Sequence, residues 1–303
     1  MIKEAAKPAL KALSRLWKKV VKPARSKKRQ WYQELIVRQD NAIRQMQDHY
    51  STLLNNQSAK SLLKARERKY YSQNGEDGLL LYFLSQTGAP TKKFIEFGIE
   101  DGTECNSANL VINFGWNGLF IEGSKGMADL AKQFFHKQHQ RNPGDVKVAA
   151  AFVTAENINK IFSENGFQGE LDLLSIDVDG NDYWIWQSIT VVNPRVVAIE
   201  YNASFGPERS LTVKYDPAFD RFKKHPSGLY HGASLAALTQ LGQKKRYQLV
   251  GCDSTGTNAF FVRKDVAGNL QEMTPSEAFY PSAHRLRKAS LKEQFDRISH
   301  LEF

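Results

Sequence analysis

Two apolar runs, each ending in an acid and a glycine, constrain the fold most strongly. They are Phe94-Ile95-Glu96-Phe97-Gly98 and Leu119-Phe120-Ile121-Glu122-Gly123. Such runs are typical of buried parallel strands whose carboxyl ends open onto a ligand. Gly98 and Gly102 would let the backbone turn tightly there. Glu122 follows Gly98 by 24 residues (122 − 98 = 24), at the tip of the next strand. Because an acid in that position can accept hydrogen bonds from a ribose diol, the pattern predicts a nucleoside-type cofactor.

Strand and helix patterns alternate along the chain from residue 70. Predicted strands cover residues 93–98, 118–122, 146–152, 171–178, 195–201, 246–252 and 258–263, and predicted helices cover 125–139, 155–165, 182–190 and 232–242. This alternation predicts an α/β fold with a doubly wound, mostly parallel sheet. Only a short turn, residues 253–257, joins the last two strands, so they should form an antiparallel hairpin. A seven-stranded sheet with one antiparallel strand is the architecture of class I methyltransferases, which use S-adenosylmethionine (SAM).

The positive charge is concentrated at the N-terminus. The chain of 303 residues has a net charge of +10, and residues 1–50 hold 13 basic and four acidic residues, so that 13 − 4 = +9 of it lies there. The near-neutral remainder argues against a nucleic-acid-binding body. Two distant cysteines, Cys105 and Cys252, indicate a reducing compartment. Without a signal-like segment or an apolar run of about 20 residues, we expect a cytoplasmic protein.

The N-terminal region is predicted to be helical and separate from the body. Residues 8–22 read as an amphipathic helix that either packs on the body or lies on an anionic membrane surface together with the basic cluster up to residue 29. A nucleic-acid arm and a targeting segment are further alternatives. Residues 30–68 show a short heptad stripe, which predicts either packing on the body or a homodimer through residues 30–57. We therefore predict a basic extension (1–69), a catalytic domain (70–268) and a closing C-terminal helical segment (269–303), with a helix over 284–303.

The loop after the first strand favours SAM over a dinucleotide. It carries Glu100 and Asp101 between Gly98 and Gly102. A dinucleotide loop presents bare amide groups to phosphate, which these acids would repel. A sulfonium and an ammonium group tolerate acids. The upstream polar turn, residues 71–78, either folds over the methionine end of the cofactor or only caps the helix that follows.

A cluster of acids follows the fourth predicted strand. Asp177 and Asp179 should point to one face of that strand. Three roles stay open: a general base for an acceptor hydroxyl, a Mg²⁺ site completed by Asp182, Glu200 or Asn202, and a cap of the next helix. In the long stretch 203–231, His231 is either a general base or a structural residue.

Taken together, residues 70–265 resemble the FkbM-type SAM-dependent methyltransferases. The resemblance rests on Ser72-Gln73-Asn74-Gly75-Glu76-Asp77, Phe94–Gly98, Asp101-Gly102-Thr103, residues 115–122, Ile176–Gly180 and residues 258–262. It implies O-methylation of a hydroxyl on a glycan or another small molecule. It further implies that Glu96, Gly98 and Glu122 hold SAM, that Gln73 and Asn106 contact its methionine end, and that Asp177 faces the acceptor. An RNA methyltransferase that uses the basic arm and a non-catalytic, membrane-associated scaffold are the alternatives.

Overall fold

A computed structural model describes residues 58–139 and 145–303 of the chain. These residues all belong to one compact unit, Thr52–Phe303. Three predictions fall outside the described residues. They are the amphipathic helix over residues 8–22, the binding of an anionic membrane surface through residues 8–29, and the homodimer through residues 30–57.

A seven-stranded sheet forms the centre of the fold. Its strands are β1 (Lys93–Phe97), β2 (Asn117–Glu122), β3 (Val146–Ala150), β4 (Gly169–Ile176), β5 (Val192–Glu200), β6 (Tyr247–Cys252) and β7 (Asn258–Arg263). Their order is β3-β2-β1-β4-β5-β7-β6. The first five strands pair in parallel, and β7 runs antiparallel to both β5 and β6. The predicted class I methyltransferase sheet with one antiparallel strand is thus confirmed.

Helices connect the strands and cover the sheet. They are α1 (Ala59–Arg66), α2 (Glu76–Thr87), α3 (Ala108–Phe114), α4 (Lys125–His139), α5 (Ile158–Glu164), α6 (Asp182–Ser188), α7 (Arg221–Lys224), α8 (Leu235–Lys244), α9 (Pro275–Ala278), α10 (Ala283–Leu286) and α11 (Leu291–Asp296). Short 3₁₀ turns occupy Ala203–Phe205 and Lys264–Val266. Among the residues that the structure describes, no helix is long and apolar enough to cross a membrane.

The C-terminal segment differs from its prediction. Instead of one helix over residues 284–303, the chain forms the short helices α10 and α11. Ser290 begins the second of them with a capping box: its hydroxyl accepts the Glu293 N–H, and the Glu293 carboxylate accepts the Ser290 N–H. A capping box satisfies the free amides of a new helix start, so it separates two helices where the apolar spacing suggests one.

Helix α1 packs on the body of the fold, although the sequence placed it in the N-terminal extension. Leu63 is buried, and a side-chain carbon added at Gly251 in β6 would lie 2.2 Å from it. Just after the helix, the Glu67 carboxylate accepts hydrogen bonds from the Ser254 N–H and hydroxyl at 2.5 and 2.6 Å. The predicted boundary after residue 69 therefore falls one helix too late.

Candidate active site

A cleft opens at the carboxyl ends of the parallel strands. It has a volume of about 780 Å³ and is lined by the loops after β1, β2, β3, β4 and β5. Ligands bind at this edge in open α/β sheets. Its charged lining consists of seven acids and one arginine: Glu100, Asp101, Glu104, Glu122, Asp177, Asp179, Glu200 and Arg221. This composition suits a neutral or cationic ligand better than a phosphate.

Gly98 allows β1 and β4 to approach each other at the floor of the cleft. Its φ is +80°, and a side-chain carbon there would lie 1.5 Å from the carbonyl oxygen of Asp177. No other residue type fits, because both the backbone conformation and the space exclude a side chain. The close approach brings the loop of the first strand beside Asp177. Gly98 therefore lines the cleft as predicted, and its role there is to bring the two loops together.

Glu122 lies at the tip of β2 and is fixed by backbone amides. Its carboxylate accepts the Glu100 N–H at 2.9 Å and the Ser124 N–H at 2.8 Å. Glu100 has a positive φ of 50°, which turns its amide toward this carboxylate. Since a carboxylate has about four acceptor positions, the two amides leave positions free toward the cleft. Glu122 is thus oriented before any ligand arrives, as a diol acceptor would need to be.

Glu96 lies beneath the cleft and does not line it. It is 5% exposed, and its two oxygens accept the N–H groups of Asn106 and Ser107 at 2.8 and 2.7 Å. Burial raises the pKa of Glu96 to about 7. Gly102 is likewise buried, packed against Phe135 of α4. Asn106 donates from its side chain to Ser175. The cofactor contacts predicted for Glu96, Gly102 and Asn106 are therefore corrected: these residues shape the loop from below.

Gln73 reaches the cleft from a locally stabilised turn. One oxygen of Asp77 accepts the N–H groups of Tyr70, Tyr71 and Ser72, each at 2.8 Å. Gly75 comes just before α2, has a φ of 100° and offers no side-chain cap. The exposed Gln73 lies among the cleft residues. The sequence left open whether the turn only caps the helix; in the structure, Asp77 binds the amides of the turn.

Three acids converge where β4 and β5 end. Asp177, Asp182 and Glu200 each offer a carboxylate oxygen, and these oxygens lie within 4.8 Å of one another. Burial, followed by the nearby Glu200, raises the pKa of Asp177 well above its ordinary value. Burial is also the main cause that raises the pKa of Asp182 and of Glu200 to about 7. Oxygen Oε2 of Glu200 is buried without a hydrogen-bond partner. Carboxyls this close favour a shared proton or a cation.

The predicted trio of Asp177, Asp179 and Asp182 does not form a common cation site. Strand β4 ends at Ile176, so Asp177 and Asp179 do not alternate along a strand. Asp179 has a φ of 56°, is exposed, and pairs with Arg221. Asp182 accepts the N–H groups of Val178 and Gly180, at 2.9 and 3.0 Å, and so closes the turn. Glu200 takes the place of Asp179 in the cluster.

His231 lies beside the acid cluster but is buried away from the cleft. It is 0% exposed, and its Nε2 lies 2.9 Å from the Arg285 guanidinium. Burial and then Arg285 lower the pKa of His231 well below its ordinary value. A general base needs a nitrogen that can reach the acceptor. The prediction that His231 is a general base is therefore wrong. His231 is a structural residue, which was the other predicted role.

Three residues of this region escaped sequence reasoning. Phe152 follows β3, is 57% exposed and lines the cleft. The sequence predicted it as the last residue of a strand over 146–152, whereas β3 ends at Ala150, so its position at the edge of the cleft was not foreseen. Arg221 contacts Asp179 from 42 residues further along the chain, and Arg285 contacts His231 from 54 residues further along. No local pattern indicates contacts over such separations.

No family model and no curated protein matches the chain. An O-methyltransferase from Bacillus cereus in complex with SAH, the demethylated product of SAM, is 15% identical, with 71% of this chain and 94% of that chain covered and a TM-score of 0.40. The O-methyltransferase TomG from Streptomyces achromogenes in complex with SAM is 15% identical, with 70% of this chain and 92% of that chain covered and a TM-score of 0.40. PKMT2 from Rickettsia typhi in complex with AdoHcy is 10% identical, with 67% of this chain and 55% of that chain covered and a TM-score of 0.41. At this level of similarity we transfer no residue role, and the fold assignment rests on the strand order.

Proposed function

We propose that this protein is a SAM-dependent methyltransferase that acts on a hydroxyl of a glycan or a related small molecule. One observation carries the proposal. A single cleft joins an acid with free acceptor positions, Glu122, to a crowded acid pair, Asp177 and Glu200, with Gly98 between them. Such a cleft can hold a nucleoside at one end and a reacting hydroxyl at the other.

The end of the cleft near β2 suits the nucleoside. Glu122 would accept the two ribose hydroxyls through its remaining positions. Phe152 lines this end of the cleft with an exposed ring, which would be available to stack on adenine. The acids Glu100 and Asp101 would attract the positive sulfonium and ammonium groups of SAM and repel the pyrophosphate of a dinucleotide.

The other end of the cleft suits the acceptor. When bound, SAM would supply a methyl group to the acceptor oxygen, with a new C–O bond formed as the C–S bond breaks and its electron pair stays on sulfur. The carboxylate of Asp177, which lies on the floor beside Gly98, would take up the hydroxyl proton. Much of the rate would come from alignment of oxygen, carbon and sulfur in one enclosed space.

In an alternative arrangement, Asp177, Asp182 and Glu200 would hold Mg²⁺, and Asp177 would then be a ligand and not the base. Their oxygens lie close enough to share one ion, and Oε2 of Glu200 lacks a partner. Carboxylate oxygens are the ligands that this ion prefers. When bound, the ion would polarise the acceptor hydroxyl and make its proton easier to remove. Activity after treatment with EDTA and re-addition of Mg²⁺ tests this part of the proposal alone.

The acidity of the cleft weighs against the alternative of an RNA methyltransferase. Seven acids and one arginine line it. Phosphates would be repelled at its mouth, even if the basic N-terminal residues gripped RNA elsewhere. The intact Gly98, Glu122 and Asp177 weigh against a scaffold without activity. Membership of the FkbM-type family stays a prediction from the sequence motifs.

Calorimetry and mass spectrometry test the function. We expect the full chain to bind SAM and SAH with one site each, and NAD⁺ not at all. Absence of binding to both SAM and SAH would refute the proposal. In the second stage, SAM and a panel of glycans are incubated with the protein, and transfer adds one CH₂ unit to the mass of the acceptor. Transfer to RNA and not to glycans would favour the alternative.

We propose further that the protein works at the cytoplasmic face of a membrane and attaches through residues 8–29. The basis is the sequence alone: apolar residues at helical spacing, flanked by a large share of the positive charge. A basic amphipathic helix binds anionic lipid through both features. Co-sedimentation with anionic liposomes compares the full chain with a variant lacking residues 1–30. Equal pelleting of the two would end this proposal.

A further inference from the structure

The last 24 residues of the chain clamp the loop that follows β5. The Tyr201 hydroxyl donates to the carbonyl of Tyr280 at 2.6 Å, and the Ser204 hydroxyl donates to the Gln294 side chain at 2.8 Å. A second apolar cluster joins the same parts, through Phe205, Val213, Leu229, Tyr230 and Ile298, with Phe295, Leu301 and Phe303 packed against it. The C-terminal segment therefore packs behind the loop that follows β5 and supports it.

Arg285 on α10 is the point at which this segment reaches the acid cluster. Its Nη1 donates to the Asn202 side-chain oxygen at 2.9 Å and to the Ser204 hydroxyl at 3.2 Å. Its Nη2 lies 2.9 Å from Nε2 of His231. The Asn202 amide in turn donates to the carbonyl of His231 at 2.9 Å. Arg285 thus contacts the imidazole of His231, and Asn202 holds both the backbone of His231 and the guanidinium of Arg285.

The chemistry of arginine decides which nitrogen of His231 carries the proton. A guanidinium has only donors, so the nitrogen that faces it must accept. A neutral imidazole with an accepting Nε2 carries its proton on Nδ1. That nitrogen lies 3.6 Å from Oε2 of Glu200, and neither atom has a hydrogen-bond partner. The distance is too long for a hydrogen bond, but a shift of roughly 0.5 Å would form one.

We propose that Arg285 is a positioning residue of the active site: it fixes His231 as the Nδ1–H tautomer and so aims that proton at Glu200. A small movement of either side chain then forms a hydrogen bond that holds the Glu200 carboxylate in place. Glu200 lines the cleft and belongs to the acid cluster, so its orientation affects the acceptor. In this arrangement His231 is a donor and does not bind a cation, although Asp179, Glu200 and His231 lie within 4.8 Å of one another. The effect on catalysis rests on the proposed function; the tautomer does not.

NMR spectroscopy tests the tautomer without substrate. Long-range ¹H–¹⁵N spectra of the full chain should show a protonated Nδ1 and an unprotonated Nε2 for His231. In Arg285→Ala the spectrum should change toward the Nε2–H form, and Arg285→Lys should restore the original form in part. The control Arg287→Ala changes an exposed arginine two residues away and should leave the spectrum as in the wild type. A wild-type Nε2–H tautomer, or one unchanged by Arg285→Ala, would overturn the inference.

A pair of His231 variants tests the direction of the contact. The amide nitrogen of asparagine can replace Nδ1, and the amide of glutamine can replace Nε2. His231→Asn keeps a donor toward Glu200 and should retain turnover within about fivefold of the wild type, whereas His231→Gln should lose tenfold or more, both with unchanged SAM affinity. The reverse order would overturn the proposal, as would Mn²⁺ binding that disappears in His231→Asn. If the protein binds no SAM, the proposed function fails and the NMR result still decides the tautomer.

Discussion

The two ends of the cleft hold their acids in different ways. At the β1–β2 end, Glu96 and Glu122 are each fixed by two backbone N–H groups, and these amides lie at most 22 residues away along the chain. At the β4–β5 end, Asp177 and Glu200 face each other, and Oε2 of Glu200 has no partner. The groups around them come from Arg221, His231 and Arg285.

This difference suits the two ends to different tasks, namely cofactor binding at the β1–β2 end and proton transfer at the β4–β5 end. Glu122 lines the cleft and accepts two backbone amides, so its carboxylate is held in one orientation, which suits the binding of a cofactor. Asp177 and Glu200 crowd in a buried place that raises their pKa values, so they can take up a proton or share a cation. We infer that the first end binds a common cofactor and that the second end adapts to a particular acceptor.

Replacing Asp177 should have the largest effect of all on methyl transfer. The effect should be confined to the β4–β5 end of the cleft. We expect Asp177→Asn to lower methyl transfer by about 10²–10⁴-fold, because the proton acceptor is lost, with SAM affinity within about twofold of the wild type. The control Asp179→Asn removes an exposed acid paired with Arg221 and should cost less than tenfold. Steady-state kinetics with calorimetry measures both. Equal losses in the two variants would break the distinction drawn here.

Gly98 joins the two ends, and its replacement should affect both. Gly98→Ala would place a side-chain carbon 1.5 Å from a backbone oxygen of Asp177, at a φ of +80°. We expect a loss of about 3 kcal/mol or more in the free energy of unfolding. Gly166→Ala is the matched control, because it has a φ of +85° and nothing within 4 Å. It should cost about 1 kcal/mol, from backbone strain alone. Urea unfolding of both variants measures the difference, and equal losses would argue against the steric explanation.

Glu96 should make stability depend on pH at the first end. Burial raises its pKa from 4.5 to about 7 in the folded state. Between these values the folded chain keeps a proton that the unfolded chain has lost, so the free energy of unfolding falls as pH rises. We expect Glu96 to contribute a decline of about 3 kcal/mol, complete just above pH 7.

The variant Glu96→Gln removes this titration and should flatten the curve between pH 4.5 and 7.5. Denaturant unfolding at several pH values measures the slope, which is independent of any constant loss that the glutamine causes. Glu164→Gln, an exposed acid on α5, should keep the slope of the wild type. An unchanged slope in Glu96→Gln would show that other carboxyls cause the decline.

Glu122→Gln should have the smallest effect and concern the cofactor end. Glutamine keeps one oxygen and loses the other, so one ribose hydroxyl loses its acceptor. We expect SAM to bind about tenfold more weakly, which corresponds to about 1.4 kcal/mol. The control Glu104→Gln removes a negative charge from the same cleft and should change the dissociation constant by less than about twofold. Similar weakening in both variants would mean that overall charge, and not the position of Glu122, binds the cofactor.

Much of the sheet could be predicted because its signals are local. The apolar runs of β1 and β2 each identify a buried strand within a few residues. The short turn between β6 and β7 leaves no room for a helix, so it predicts that the two strands run antiparallel as a hairpin. The end of β4 could not be predicted, since Val178 continues the apolar pattern after the pairing has stopped at Ile176. Helix α11 likewise begins where a capping box, and not apolar spacing, satisfies the backbone.

The same division holds for the candidate site. The sequence by itself determined the class of sheet, the edge at which the cleft opens, and two acids that line it, Glu122 and Asp177, because strand ends and their loops are short stretches of chain. Only the tertiary structure decided that Glu96 supports the loop from below and that Glu200 replaces Asp179 in the acid cluster. It alone brought Arg285 to His231 across 54 residues. Such contacts depend on how separate segments pack, and packing leaves no periodic pattern in a single sequence.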